Sequence, residues 1–315
     1  MDIEYAISLL TELGPKLMAQ CRGTGIDLGY KRIGNRPTEA IAFRFFVEKK
    51  KPTSAVRDDE RVPGELEGFP TDVIEETFIP YAAPAPGWSP MPATKGHFRT
   101  LIGGISIGVG RVLGTLGCRV TDARSGNPDA FVSNAHVLSP RNRQHLRVVQ
   151  PSRTDGGRTP QDYCAKEERT VRVVPRGHGV NRVDASIALV QPGRLISQNI
   201  FQLGSVRGTS YATLGDRVQK CGRTTGVTSG VIDGIAHRDS IPYPGLSAEF
   251  VDQILIRPDP FTSLLSQPGD SGSMWLDKGM RVIGLLFAGG TWDSLANPVS
   301  EVQSSLGVII PTGTP

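Results

Sequence analysis

The 315-residue sequence has few cysteines, no long apolar run and no large excess of either charge. Its four cysteines, Cys21, Cys118, Cys164 and Cys221, lie far apart without a Cys-x-x-Cys pair, which is not the spacing of zinc ligands. No run approaches the ~20 apolar residues needed to cross a bilayer. The net charge of +4 is too small to indicate a nucleic-acid partner. We therefore expect no metal, no membrane and no nucleic acid among its partners.

The amino terminus also lacks the basic start of a secretory signal peptide, since Asp2 and Glu4 stand near its beginning. Disulfides are not expected in a protein that is not exported. The sequence therefore predicts four free thiols and a cytoplasmic location.

Residues 1–80 combine one helical pattern with strand-like runs. Apolar side chains recur at helical spacing over residues 2–21, where Gly14 and Pro15 predict a kink or a division. The runs "TGIDLGYK", "AIAFRFFVEKK" and "TDVIEETFI" are typical of strands. We predict a small α/β domain over residues 1–80, which could dock a regulatory partner or a second copy of the chain.

Prolines at positions 80, 84, 86, 90 and 92 follow, separated mainly by alanine, glycine and serine. Such a stretch forms neither helix nor sheet, because proline lacks the backbone N–H and favours extended chain. It predicts a linker over residues 81–100.

Residues 101–315 consist of short β-branched runs separated by glycine-rich turns, which indicates an all-β domain. "ARSGNPD" at 123–129 predicts a hairpin turn, and only 298–308 is helical in pattern. "GGISIGVG" at 103–110 fits neither the dinucleotide-binding fingerprint nor a P-loop, and we interpret it as strand and turn. No cofactor is predicted.

Three polar residues stand beside these strands in an order that permits nucleophilic catalysis. Ser271 lies in "PGDSGS", His136 ends the apolar run "FVSNAHVL", and Asp184 precedes "ASIALV". Each alone is more often a turn or structural residue. Together they supply a nucleophile, a base and an anion that orients the base.

The segments "SNAHVL", "VDASIALV" and "PGDSGS" resemble, in order and spacing, the three signature segments of trypsin-like serine peptidases. "KCGRTTGVTSGVI" and "VIGLLFAGG" resemble more narrowly the intracellular bacterial relatives of the plant narrow-leaf protease. The resemblance implies a chymotrypsin-like double β-barrel, so that the whole chain is expected to be mainly β. The first eighty residues resemble more weakly the domain that precedes the peptidase in those relatives.

The resemblance also implies a role for each site residue. Ser271 is the nucleophile, His136 the general base and Asp184 the residue that orients it. The backbone N–H groups of Gly269 and Ser271 form the oxyanion hole. The α/β-hydrolase arrangement is excluded, because it requires Gly-x-Ser-x-Gly and the order Ser, Asp, His.

Substrate contacts are expected along a strand edge and a pocket near Ser271. Leu265 stands where trypsins carry the aspartate of the pocket base, which argues against basic specificity at P1, the residue before the cleaved bond. The edge that pairs with the substrate backbone comprises Phe287, Ala288, Gly289 and Gly290. "RTLIGG" at 99–104 resembles the new amino terminus of activated trypsins, so activation by cleavage there stays open.

The sequence therefore predicts a serine endopeptidase acting on a protein or peptide. Two alternatives stay open. One is a catalytically silent module of the same fold that binds peptides. The other is a latent protease whose first domain regulates it, as in bacterial defence effectors.

Overall fold

A computed structural model describes residues 2–34, 36–80, 92–243 and 245–312 of the chain. In the described part of the first eighty residues the structure has one α-helix, five strands and two short 3₁₀ helices (Thr53–Ala55 and Asp58–Glu60). The α-helix and strands are α1 (Ile3–Gln20), β1 (Gly25–Ile33), β2 (Arg36–Val47), β3 (Glu65–Leu66), β4 (Phe69–Glu75) and β5 (Ile79–Pro80). The helix continues through Gly14 and Pro15 and is not divided there. Its buried face, which includes Leu10 and Met18, packs on β1 and β2 and stabilises it across the proline.

The next part of the chain contributes to two sheets. The elements of this part are β6 (Thr100–Gly103), β7 (Ser106–Val109), β8 (Val112–Thr115), β9 (Arg119–Asp122), β10 (Ala130–Ser133), the short helix α2 (Ala135–Leu138), β11 (Arg147–Val149), β12 (Tyr163–Thr170), β13 (Ser186–Val190), β14 (Leu195–Ile200) and β15 (Gly204–Ser205). Strands β15, β14 and β6 form a sheet of their own. The hairpin turn predicted at 123–129 is confirmed, because it joins the antiparallel strands β9 and β10.

The other strands of this part belong to a larger sheet, which curls into a barrel. The order β9-β10-β13-β12-β11-β7-β8 ends at β8, and the chain passes from β8 directly into β9. Gly117, between them, donates its N–H to the carbonyl of Val132 in β10 at 2.9 Å. Apolar side chains such as Ile107 and Phe131 fill the interior.

The remaining elements are β16 (Arg217–Gly222), β17 (Gly226–Tyr243), β18 (Leu246–Pro258), β19 (Met274–Leu276), β20 (Val282–Gly289), β21 (Ser294–Pro298), α3 (Val299–Leu306) and β22 (Val308–Ile309). The order β16-β19-β20-β21-β18-β17 closes through a further pairing of β16 with β17, so these six strands form a second barrel. Helix α3 confirms the helical pattern at 298–308. The predicted mainly β chain with a double β-barrel is confirmed.

The amino-terminal strands extend the sheet of the second barrel. The far half of β17 pairs antiparallel with β1, in a register that sets Gly29 opposite Gly234 and Gly25 opposite Asp239. The sheet then continues through β2 and β4 to β3. Strand β5 pairs separately with β20. Residues 1–80 are thus hydrogen-bonded to the second barrel at two places.

The predicted linker falls largely outside the described residues, which omit 81–91. Of the remainder, Pro92–Lys95 form a short 3₁₀ turn and β6 begins at Thr100. The domain boundaries therefore stay a prediction. Among the helices of the described ranges, none has both the length and the apolar character that crossing a membrane demands.

Candidate active site

His136 and Asp184 meet because the strands beside them are neighbours. Ser133, at the end of β10, pairs with Ser186, at the start of β13, so the residues just beyond both strand ends lie side by side. His136 Nδ1 lies 2.5 Å from Asp184 Oδ2, and the backbone N–H of His136 donates to Oδ1 at 3.1 Å. Asn134 donates its side-chain N–H to the backbone carbonyl of Asp184 at 2.7 Å. The carboxylate therefore fixes both the imidazole ring and its backbone.

A third donor to the side-chain carboxylate of Asp184 is Tyr243, the last residue of β17. Its hydroxyl donates to Oδ2 at 2.6 Å, and Asp184 is fully buried. Burial alone would raise the pKa of Asp184. The charge and hydrogen bonds of His136, together with the hydroxyl of Tyr243, outweigh burial and hold that pKa below its usual value. Burial and the neighbouring carboxylate raise the pKa of Tyr243 well above 10, so it remains a donor.

Sequence reasoning did not find Tyr243, because it is separated from Asp184 by 59 positions and ends a strand with no catalytic signature. Aromatic packing keeps its ring in place. Tyr243 stacks on Phe250 at 5.8 Å between ring centroids, and Phe250 packs on Phe287 at 4.8 Å. The third hydrogen bond to the Asp184 carboxylate thus comes from the end of β17.

Ser271 lies on a turn that only glycine permits on both sides. Gly269 and Gly272 have φ of +102° and +96°, which lie in the left-handed region. A Cβ on Gly269 would come within 2.4 Å of Thr224 Oγ1, and one on Gly272 within 2.2 Å of Ser133 Oγ. Both glycines are therefore required by conformation and by space.

The turn of Ser271 is held between the two barrels. The carbonyl of Ser271 accepts the N–H of Thr115 at the end of β8, and Gly272 donates to the carbonyl of Leu286 in β20 at 3.0 Å. A Cβ on Gly114 would lie 3.1 Å from the Ser271 carbonyl oxygen and 2.6 Å from the side chain of Val137, the neighbour of His136. The turn that carries Ser271 and the helix that carries His136 therefore both lie against Gly114 of β8.

The structure pairs His136 with Asp184 but shows no hydrogen bond between His136 and Ser271. The hydroxyl of Ser271 donates instead to the carbonyl oxygen of Phe287 at 3.5 Å. His136 Nε2, the ring nitrogen away from Asp184, is buried, and no atom of the described residues forms a hydrogen bond with it. A buried ring nitrogen of this kind is available to accept a proton.

Asp270, inside the same turn, is a fully buried carboxylate. It accepts backbone N–H groups from Thr224 at 2.7 Å and from Gln267 at 2.9 Å, and the hydroxyl of Thr225 at 2.7 Å. Lys220 Nζ lies 3.5 Å from its Oδ2. Burial lowers the pKa of Lys220, and the charge of Asp270 opposes that shift. These bonds hold the turn in place from inside the protein.

The residues predicted to contact substrate are only partly brought together. Ala288 and Gly289 lie on β20 and pair with β5, and Gly290 follows them. Leu265 is buried in the core of the second barrel beside Trp275. The ring of Phe287 belongs to a different apolar cluster, so it does not meet Leu265.

Two serine hydroxyls and a buried carboxylate lie near the strand end at Gly289, which pairs with Ser294 of β21. Ser266 Oγ and Ser294 Oγ are 2.5 Å apart, which joins the segment before Ser271 to β21. Asp293 is paired with Arg32 of β1 at 2.7 Å. Within the part of the chain that the structure describes, no group of three or more histidine, cysteine or acidic residues is arranged to hold a metal ion.

Comparison with known proteins gives structural neighbours only. No protein-family model matches the sequence, and no curated protein matches it. The Cellulomonas bogoriensis chymotrypsin is 19% identical with a TM-score of 0.48, over 68% of this chain and 100% of its own. Thermobifida fusca protease A is 19% identical with a TM-score of 0.49 over the same shares. A Nocardiopsis protease is 20% identical with a TM-score of 0.49, over 67% of this chain and 98% of its own.

Proposed function

We propose that this chain is a serine endopeptidase that cleaves peptide bonds of a protein substrate through Ser271, His136 and Asp184. One observation carries the proposal. A fully buried carboxylate, Asp184, takes both the ring N–H and the backbone N–H of His136. This pairing sets the tautomer in which Nε2 is the basic atom, as general-base catalysis requires.

In the proposed reaction Ser271 Oγ attacks the substrate carbonyl carbon while His136 Nε2 takes its proton. Asp184 stabilises the imidazolium that forms. The C–N bond then breaks, and His136 returns the proton to the departing amine. Water, deprotonated by His136, hydrolyses the acyl-enzyme and restores Ser271.

The backbone N–H groups of Gly269 and Ser271 are proposed to bind the oxyanion. Removing one such donor costs about 3–4 kcal/mol of transition-state stabilisation. The geometry of Gly269 supports this role, since its positive φ and its contact with Thr224 leave no room for a side chain. The buried bonds of Asp270 support it further by fixing the turn in one conformation.

In finer detail, we propose that the protease is cytoplasmic and related to the narrow-leaf protease. We also propose that it prefers substrates whose P1 residue is uncharged and mainly apolar. The four cysteines are free and buried, which supports a reducing compartment. The buried position of Leu265 supports a P1 site without a carboxylate at its base. The first eighty residues are proposed to regulate the enzyme or to dock a partner.

The test is labelling with a fluorophosphonate, which reacts only with an activated serine, together with hydrolysis of a reporter peptide. Wild type is expected to be labelled at Ser271. Ser271→Ala and His136→Ala are expected to lose both signals, and the double variant is expected to be scarcely worse than either. Asp184→Asn is expected to fold and to lower kcat by about 10⁴. Ser54→Ala, at an exposed position, is the matched control.

The alternative of a silent peptide-binding module makes the opposite prediction. It has the same fold but no activated serine, so it would bind peptides without labelling. Labelling of wild type at Ser271 excludes that module, whereas peptide binding without any labelling contradicts the proposed function. A latent protease differs from the main proposal only in its basal rate.

A further inference from the structure

Strand β20, which carries the edge expected to hold a substrate backbone, is paired on both sides at that edge. On one side Ala288 and Gly289 pair with β21. On the other side Ala288 pairs with Pro80 and Gly289 with Ile79 of β5, in antiparallel register. A residue in a ladder directs its backbone N–H and C=O to one side of its strand, so each edge takes only one neighbour. A substrate backbone can therefore pair with β20 here only after β5 has left.

The pairing of β5 with β20 is short. Proline has no N–H to donate, so the exchange of N–H···O bonds in this two-residue ladder falls on Ile79 and Gly289. Ile79 is 51% exposed, so its departure would uncover little apolar surface of its own. Strand β5 can therefore leave the edge without dismantling the core of the second barrel.

The segment just before β5 holds the strand in place. Phe78 is buried, and its ring centroid lies 5.9 Å from that of Phe46 in β2 and 5.3 Å from that of His237 in β17. Glu76 is also buried, and its carboxylate accepts the backbone N–H of Thr291, which follows β20. These contacts join the amino-terminal sheet to the second barrel, so they position β5 while the first eighty residues are docked.

Gly290, the last residue of the expected substrate edge, is covered by the same segment. A Cβ on Gly290 would collide with the carboxylate of Glu76 and lie 2.9 Å from the carbonyl oxygen of Thr77. Ala288 and Gly289, which pair with β5, are both buried. Residues 76–80 therefore lie against all three residues from Ala288 to Gly290.

Strand β5 also runs in the direction that the acyl side of a substrate would take. As the chain proceeds from Ile79 to Pro80, its partners proceed from Gly289 to Ala288 and so towards Phe287, whose carbonyl oxygen accepts the hydroxyl of Ser271. A nucleophile attacks the carbonyl that ends the acyl part, so the residues before a cleaved bond approach it with their carboxyl end. Strand β5 thus takes the place of a substrate backbone in both position and direction.

We propose that β5 is an autoinhibitory strand, which blocks the substrate edge of β20 until residues 76–80 move away. This inference rests on the proposed function. The block is competitive, because a peptide binds only the fraction of molecules in which the edge is open. It therefore raises KM and leaves kcat unchanged.

Release of β5 does not require the rest of the amino-terminal part to separate. Strand β1 pairs with β17 independently of β5, and Arg44 of β2 forms an ion pair with Asp233 of β17, with both side chains fully buried. Breaking that pair would leave a buried charge without a partner, which is strongly unfavourable. The open form is therefore expected to differ from the closed form mainly in residues 76–80.

The test compares two reporter substrates on the purified full chain. A peptide with several residues before the cleaved bond reaches the edge at Ala288 and Gly289, whereas an ester of a single amino acid does not. Ile79→Pro removes the N–H that faces Gly289 and is expected to lower KM for the longer peptide by about two- to tenfold, with kcat unchanged. Hydrolysis of the ester is expected to stay the same. Ile79→Val keeps that N–H and is expected to match wild type.

A second pair of variants tests the anchor of β5 without altering the ladder. Glu76→Ala removes the acceptor of the Thr291 N–H and is expected to lower KM for the longer peptide, again without an effect on the ester. Glu76→Gln retains an acceptor oxygen and is expected to stay closer to wild type. The urea unfolding midpoint of each variant shows that it folds.

The outcomes distinguish the autoinhibitory strand from the proposed function. An unchanged KM for the longer peptide in both Ile79→Pro and Glu76→Ala overturns autoinhibition, and an equal gain for the ester overturns a block at the substrate edge. If Ser271 of wild type is labelled by the fluorophosphonate in either case, the proposed function stands. If neither wild type nor any variant is labelled or hydrolyses a substrate, both proposals are wrong.

Discussion

Replacing Tyr243 by phenylalanine removes one hydrogen-bond donor from the buried carboxylate of Asp184 and leaves the aromatic packing intact. The lost hydroxyl lies 2.6 Å from Oδ2, and the ring remains stacked on Phe250. A hydrogen bond to a charged group contributes about 1.5–3 kcal/mol net, so we expect a loss of this size in the free energy of unfolding at pH 7. The two bonds from His136 to Asp184 remain.

The loss is expected to depend on pH with a definite sign. The pKa of Asp184 is lowered in the folded state, so the ionised carboxylate stabilises the fold above its unfolded pKa. That contribution is lost as the pH falls towards the folded pKa. Tyr243→Phe is expected to raise the pKa of Asp184 in the folded state. The difference in unfolding free energy between the variant and the parent is therefore expected to be largest at pH 7 and to shrink below about pH 4.

Catalysis is expected to change much less than stability. His136 retains both of its bonds to Asp184 in Tyr243→Phe, so we expect the rate of fluorophosphonate labelling to fall by less than about tenfold. By comparison, Asp184→Asn is expected to lower kcat by about 10⁴. Stability is measured by urea unfolding at pH 7 and at about pH 3 in a Ser271→Ala background. Tyr163→Phe, which removes a neutral bond with Gln191, is the matched control. An unchanged unfolding midpoint at pH 7, or labelling lost as completely as in Asp184→Asn, would refute the reasoning.

Three further predictions concern other parts of the site and the core. Lys220→Met leaves Asp270 buried without its cation, so we expect a loss of about 3–5 kcal/mol in unfolding free energy and slower labelling, against no change for the exposed Lys278→Met. Burial raises the pKa of Cys118, Cys164 and Cys221 to about 12, so we expect a thiol reagent to leave these three unmodified in the native protein. In urea without reductant the reagent is expected to modify all four cysteines, because all four are free thiols. Recovery of only two thiols in urea contradicts this prediction. On peptides that differ only at P1, Leu is expected to exceed Arg and Lys in kcat/KM, because Leu265 offers no carboxylate to a buried cation; a tenfold advantage for Arg contradicts that assignment.

The sequence predicts the neighbourhood of His136 and Asp184 because local signals suffice there. Each residue borders a short apolar run, and the two runs become paired strands of one barrel. The turn at Ser271 is likewise a local feature, since its two glycines are required by positive φ. Tyr243 has no such signal. Its contact with Asp184 depends on how far β17 extends beyond the barrel.

The lengths of β17 and β18 could not be predicted from periodicity. The runs "TSGVIDGI" and "DQILI" indicate two short strands, but the structure has strands over Gly226–Tyr243 and Leu246–Pro258. Register shifts between Ile232 and Asp239 break the two-residue alternation. Asp233 and His237 are moreover fully buried in this stretch, where a sequence pattern predicts polar residues at the surface.

Those buried groups have partners nearby in the sequence, Arg257 for Asp233 and Asp239 for His237, but their other partners lie more than 180 positions away. Arg44 donates to Asp27 within the amino-terminal sheet and to Asp233 on β17, and His237 Nδ1 lies 3.2 Å from Asp27. Breaking such a network at one partner is strongly destabilising, since it leaves an uncompensated buried charge. The pairing of β1 with β17 therefore braces the same strand that ends at Tyr243. Through β17 the first eighty residues support the hydroxyl that holds Asp184, and through β5 they occupy the edge beside Ser271.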